Sequence, residues 1–262
     1  LVKNHGKILE NSLLPLVILY RTEKMKSEEL EQSERSKQKV AMLVDKRVYV
    51  SRVLEVLIYG IFYLTSFKLL ETREVSVDII HTAIDDKIPF ISAFIIPYFL
   101  WFAYVGISVA YFIFFCESEA EYYKMSRSLA VGCTIFLIIS FVFPNGQDLR
   151  PAVLGNGIFD QMVAHLYTMD TPTNVFPSIH VYNTLICALA LYENENFRKS
   201  RICVICNFLL AISIILATMC LKQHTVVDVI GAMILASFCV EYYYGTSTAT
   251  VLHQRKVRHG FH

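Results

Sequence analysis

Ile202–Cys220 reads ICVICNFLLAISIILATMC, a run without a single charge. It is followed at once by Leu221-Lys222-Gln223-His224-Thr225-Val226-Val227-Asp228. Such a run is long enough for a helix crossing a bilayer, which takes about 20 mostly apolar residues. The polar string behind it carries an imidazole and a carboxylate four residues apart. Working outward, further stretches qualify or nearly qualify: Val50–Phe67, Phe90–Phe115, Ser128–Phe143, Phe176–Tyr192 and Thr225–Tyr244. The third and fourth are short for a bilayer, and the second carries Pro97, where tilt or a kink is expected. The expected fold is therefore all-α, a polytopic membrane helical bundle with six transmembrane helices.

Composition agrees. Of 262 residues, 55% are apolar and 18% charged, with a mean hydropathy of +0.46. Soluble domains are about 45–50% apolar and about 25% charged. A disordered chain, a fibre or a nucleic-acid-binding domain is excluded on these grounds, and so many apolar runs rarely occur in one soluble helical domain. No signal-peptide pattern is evident, the first long apolar stretch beginning near Val53.

The net charge of +1 conceals a polarised distribution. Residues 1–47 hold ten of the 24 Lys and Arg residues. With the N-terminus inside, eighteen fall on the inner side and four (Arg73, Lys87, Arg150 and Lys222) in outer loops. That bias sets the expected orientation: both termini cytoplasmic, and the loops after the first, third and fifth spans extracytoplasmic. The expected divisions are a polar arm or surface helix over 1–47, a six-helix membrane domain over 48–245 and a basic cytoplasmic tail over 246–262. Within the first outer loop, Val77, Ile80, Ile84 and Ile88 recur at helical spacing, so a short interfacial helix is expected over 75–88.

Three polar clusters then share one membrane face: Pro144 to Pro151, Phe176 to His180, and Lys222 to Asp228. On a helix, His224 and Asp228 would lie one above the other. A carboxylate beside an imidazole fixes its tautomer and leaves the far nitrogen nucleophilic. An Asp one turn inside a membrane helix is costly and functional by default. Pro177 fits a first helical position, which would leave the N–H groups of Ser178, Ile179 and His180 as an anion site. The Ser178 hydroxyl adds a donor, and His180 can act as an acid on a leaving group. Arg150 is the only Arg of the outer loop between the third and fourth spans, and its fork suits a tetrahedral phosphate. Each cluster has a plain reading as well: an interface-facing pair, a helix cap, a headgroup anchor. Their convergence favours phosphoryl transfer, which mostly needs positioning and charge stabilisation.

These residues resemble the type 2 phosphatidic acid phosphatase (lipid phosphate phosphatase) superfamily over roughly residues 128–244. Its three motifs are matched in order by Arg150-Pro151, by Pro177-Ser178-Ile179-His180, and by His224 with Asp228. The resemblance implies that His224 attacks phosphorus to form a phosphohistidine and that Asp228 orients it. It implies that His180 protonates the leaving group and that Arg150 and Ser178 bind phosphoryl oxygens, with no metal or other cofactor. Two motif cations are replaced: Phe143 stands where the family has Lys, and Ala217-Thr218 where it has Ser-Arg. Lys222 and Gln147 are the expected substitutes in phosphate binding. The Asn145-Gly146-Gln147 string and the missing Arg look more like the branch containing sphingomyelin and inositol-phosphoceramide synthases. There a lipid alcohol takes the phosphoryl group. The expectation is a membrane phosphatase of a lipid or isoprenoid phosphate, working among membrane lipids and without nucleic acid. Its alternatives are a lipid phosphotransferase and a catalytically silent scaffold or transporter. The seven Cys residues, including the Cys203/Cys206 pair, read as packing residues.

Overall fold

Side chains cap the first turns of several of the helices. The computed structural model describes Lys26 and residues 46–259, with side chains described through Gly245. The helices are α1 (Lys46–Glu71), α2 (Ile95–Phe114), α3 (Glu119–Val142), α4 (Ile158–Met169), α5 (Ile179–Glu193), α6 (Glu195–Arg198), α7 (Arg201–Cys220) and α8 (Val226–His259). Ser118, Ser178, Asn194 and Ser200 cap α3, α5, α6 and α7, each side-chain oxygen accepting from a first-turn N–H. The chain divides into two compact units, Leu1–Leu54 and Glu55–His262. The polar arm expected over 1–47 lies outside the described residues, apart from Lys26 and the start of α1. At the other end the backbone of α8 continues past residue 245 to His259.

Among the described residues, five helices are long and apolar enough to cross a membrane: α1, α2 with its preceding turn (Ser92–Phe114), α3, α7 and the Val226–Gly245 stretch of α8. The sixth expected span, Phe176–Tyr192, is not among them and corresponds to α5. Ser178 caps this helix and Asn194 ends it while capping α6, so only 15 helical residues remain. They span about 22 Å at the α-helical rise, against a hydrocarbon core of about 30 Å. Ten of them are buried, because α2, α3, α7 and α8 all pack on α5. Phe136 and Leu137 of α3, Val181, Tyr182 and Ile186 of α5, and Val229 and Ala232 of α8 form the main core. The α3–α5 approach depends on Gly132, where an added Cβ would lie 2.0 Å from the Tyr182 ring.

Two connections differ from expectation. Residues 75–91 do not form an interfacial helix. Asp78–Ile79 (β1) pairs in parallel with Asn145–Gly146 (β2). Asp78 N–H donates to Pro144 O (2.9 Å) and Ile80 N–H to Gly146 O (2.8 Å). β-Branched Val75, Val77, Ile79 and Ile80 suit this extended path, and only a short 3-10 turn follows at Asp85–Lys87. The loop between α3 and α5 carries α4, which buries Val163 and Leu166 against Ile95, Tyr98, Ala217 and Leu221. Arg73 closes the same end of the bundle by donating to the terminal carbonyls of α3, Phe141 O (2.9 Å) and Ser140 O (2.7 Å).

Candidate functional site

The site grows from the turn between α7 and α8. Gln223 N–H (2.9 Å) and His224 N–H (3.1 Å) both donate to Thr218 O, folding the chain back at the end of α7. Lys222 adopts a positive φ of 52° at this corner. Its carbonyl accepts from Gln147 Nε2 (2.9 Å), and its Nζ donates to Asp85 O and Ile88 O (2.6 Å each). The Gln147 Oε1 in turn accepts from Leu149 N–H (2.6 Å). Lys222 and Gln147 therefore engage backbone groups that fix the turn.

Helix α8 starts one residue after Thr225, so His224 precedes the helix and does not lie on its face. Thr225 and Asp228 form a reciprocal cap: Thr225 N–H donates to Asp228 Oδ2 (2.7 Å), and Asp228 N–H to Thr225 Oγ1 (3.2 Å). The buried Asp85 carboxylate also caps this turn, its Oδ1 accepting from Val226 N–H (2.7 Å). Asp228 is fully buried, and its Oδ2 lies 3.5 Å from His224 Nδ1, close but longer than a hydrogen bond.

His180 enters from the first turn of α5. Pro177 lies before the Ser178 cap and not in the first helical position. Ser178 N–H donates to Asp228 O (3.1 Å), and its Oγ accepts from Val181 N–H (3.4 Å), tying the starts of α5 and α8 together. The His180 ring sits 4.3 Å from the Trp101 ring and 4.9 Å from that of Tyr98. Its Nδ1 meets His224 Nε2 at 3.2 Å. One nitrogen must donate and the other accept. If His180 donates, His224 carries its proton on Nδ1, facing Asp228, and its Nε2 lone pair is the one in use.

Arg150 reaches the same place from the loop after α3. Its Nη2 donates to Gln223 Oε1 (2.6 Å) and Asp170 O (2.8 Å), and its Nη1 to Tyr167 O (3.3 Å). The guanidinium stacks on the Tyr167 ring, 4.3 Å from its centroid. Burial lowers its pKa, an effect that the Asp170 carboxylate opposes; an Arg nevertheless stays charged. Tyr98 Oη donates to Asp170 Oδ2 (3.0 Å).

Arg150 Nε, Gln223 Nε2, His224 Nδ1 and Asp228 Oδ1 are all buried without a hydrogen-bond partner. A cavity of ≈ 30 Å³ lies beside Gln223 and His224, lined also by Phe67, Phe136, Asp170 and His180 among others. Each unpaired buried group costs about 1–3 kcal/mol. The four belong to residues brought together here, since Arg150 donates to Gln223 and Asp228 lies against His224. Among the described residues, no group of three or more His, Cys, Asp or Glu is arranged to hold a metal.

Several contributors have no motif to announce them. Tyr98, Trp101 and Asp85 act through folding, while Gln223 and Asn145 lie inside the polar clusters of the sequence without a role marked for them. Asn145 Oδ1 accepts from Val175 N–H (2.9 Å) and Phe176 N–H (2.8 Å), which positions the approach to His180. Glu71 accepts from Thr171, Thr173 and Asn174 on the same approach. A lone Trp three residues after a Tyr in an apolar run is the only signal among these.

Residues 127–250 match the family model described as the PAP2 superfamily. That match supports the type 2 phosphatidic acid phosphatase superfamily for this region, a superfamily whose members are generally phosphatases. The matched region contains Arg150, Ser178, His180, His224 and Asp228. No curated protein and no solved structure matched the chain.

Proposed function

We propose that the protein is a membrane phosphatase of a lipid or isoprenoid phosphate, working through a phosphohistidine on His224. The observation that carries this reading is the buried line from Asp228 through His224 to His180, surrounded by unpaired polar atoms. His224 Nε2 attacks phosphorus, forming an N–P bond as the bond from phosphorus to the leaving oxygen breaks. His180 donates its proton to that leaving oxygen. A water then attacks the phosphohistidine and gives its proton to His180, releasing inorganic phosphate and restoring both imidazoles. Asp228 stabilises the charge that develops on His224. Arg150 and Gln223 face the phosphoryl oxygens.

The 3.2 Å His–His contact adds a condition. Phosphorus must approach along the Nε2 lone pair, which His180 now occupies. Substrate binding therefore parts the two rings, and the resting contact holds the proton that the leaving group later receives.

The Lys and Arg bias supports cytoplasmic termini and an extracytoplasmic site. The divisions at 1–47, 48–245 and 246–262 belong to the same proposal. A reporter fused after His262 that is active only outside the cell would overturn the orientation.

The purified full chain, incubated with phosphatidate labelled in its phosphate, tests the activity. Release of labelled inorganic phosphate, lost in His224→Ala, is expected. Label appearing only on an added lipid alcohol would instead establish a phosphotransferase. Turnover that survives His224→Ala would remove the nucleophile assignment.

A further inference from the structure

Two aromatic residues of α2 close on His180 from outside the region of the family match, which begins at residue 127. Tyr98 and Trp101 are three residues apart and so share one face of the helix. The Trp101 ring centroid lies 4.3 Å from that of the imidazole, with the planes at 48°, and the Tyr98 centroid lies at 4.9 Å, with the planes at 33°. Trp101 also grips the backbone of the same residue. Its Nε1 donates to His180 O (3.1 Å), which accepts from Thr184 Oγ1 as well (2.6 Å). Tyr98 is buried, and its Oη donates to Asp170 Oδ2 (3.0 Å). The Asp170 carbonyl in turn accepts from Arg150 Nη2 (2.8 Å).

We infer that Trp101 and Tyr98 are positioning residues for proton transfer by His180, their ring faces holding the imidazole in place and stabilising its charged form. The inference rests on the phosphatase reading. There His180 gives a proton to the leaving oxygen as the P–O bond breaks, and regains one from the water that attacks the phosphohistidine. A neutral imidazole has a single N–H proton and would become an anion on losing it. The donor is therefore the imidazolium, which the transfer leaves neutral. The groups facing this ring are His224, 3.2 Å from its Nδ1, and the Tyr98 and Trp101 rings, with Asp170 and Gln223 lining the same cavity. Where His224 has the Asp228 carboxylate at 3.5 Å, His180 has two ring faces. An aromatic face attracts a cation within about 6 Å of its centroid, Trp most strongly, and more so where water is excluded. Both rings lie inside that distance, and their packing also opposes rotation of the imidazole.

Leaving groups of different basicity supply the test. A departing alkoxide needs a proton, and a departing nitrophenolate does not. With the full chain in detergent, kcat is compared on benzyl phosphate and on 4-nitrophenyl phosphate, esters of similar size. Trp101→Leu is expected to lower the benzyl-to-nitrophenyl ratio of kcat by about 30-fold, a part of the roughly 10²–10⁴-fold that general acid catalysis supplies. Tyr98→Leu should move the ratio in the same direction. Trp101→Phe keeps a ring face without the N–H and should hold the ratio within about five-fold of the unsubstituted chain. An unchanged ratio in both Leu variants would make the two rings supports of the fold alone and overturn the inference. A ratio as low in Trp101→Phe as in Trp101→Leu would assign the effect to the N–H bond and overturn it as well.

A readout without turnover separates this from failure of the phosphatase reading. Trp101 is the only tryptophan of the chain, so indole emission reports on its surroundings alone. A protonated imidazole in contact quenches an indole, and this quench is expected to be lost in His180→Gln. Emission unchanged by that substitution would overturn the inference whatever the kinetics show. Emission restored in a chain that releases phosphate from neither ester would keep the charged imidazole between its rings and discard the phosphatase.

Discussion

Residues 55–71 of α1 and the whole of α5 have similar apolar content and opposite surroundings. α1 exposes Leu57, Ile58, Ile61, Phe62, Leu64 and Leu69 and turns Tyr59, Tyr63 and Phe67 toward the bundle. α5 buries ten of its 15 residues, with Asn183 and Thr184 among them. An apolar run can thus mean contact with lipid or contact with protein, and periodicity alone does not say which. The short, enclosed helix can carry the proposed chemistry because its polar first turn starts inside the bundle. There Ser178 bonds to Asp228 O and His180 meets His224.

The sharpest way to break this comparison is to remove chemistry from the enclosed region while sparing its packing. His224→Ala is expected to lower kcat/KM for phosphate release by about 10³-fold or more, as for loss of a covalent nucleophile. The thermal midpoint should change little. Asp228→Asn keeps an oxygen that can accept from Thr225 N–H, so the start of α8 should survive. Loss of the charge beside His224 is expected to cost about 10²-fold or more in kcat, with unchanged helical circular dichroism. A variant that loses its helix content as well would make Asp228 primarily a cap.

Two glycines contrast the regions by stability. Gly132→Ala forces a Cβ onto the Tyr182 ring between α3 and α5, and overpacking of this kind costs about 1–3 kcal/mol. Gly106→Ala on α2 meets nothing within 4 Å and should be neutral or stabilising by about 0.5–1 kcal/mol. Thermal unfolding in one detergent compares them directly. Equal effects would mean that α3 and α5 are not packed this closely.

The smallest effect concerns pH. His81 joins two loops, with Asp86 Oδ1 and Asp148 Oδ1 each 2.8 Å from its ring nitrogens. These hydrogen bonds, to Asp86 first and then to Asp148, raise its pKa. A pKa raised on folding stabilises the fold fully below the unfolded imidazole value, about 6.5. That contribution is lost as pH rises through the folded value. His81→Ala should therefore lower the unfolding midpoint slightly near pH 5 and not in alkali. The opposite pH dependence would mean that His81 is not held as a cation.

Much of this was legible in the sequence, and its limits are physical. The spanning helices follow from uninterrupted apolar runs, and Arg150, His180, His224 and Asp228 stand out as polar residues beside such runs. Residues 75–88 mislead because a strand pair with Asn145–Gly146 is non-local, and local spacing cannot register it. His224 and Asp228 come together although the reason differs: His224 stands before the α8 cap, not on the helix. The paths of Lys222 and Gln147 depend on a positive-φ corner and on the carbonyls of Asp85 and Ile88, more than 130 positions away from Lys222. Trp101 reaches the His180 imidazole only through tertiary packing.

The central claim is that phosphorus passes through His224 Nε2. The most direct test is to quench the full chain during turnover of a substrate labelled in its phosphate and map the acid-labile, base-stable label. The account predicts label on the peptide containing His224, absent in His224→Ala. Label on His180, or full turnover with no labelled protein under any quench, would contradict it.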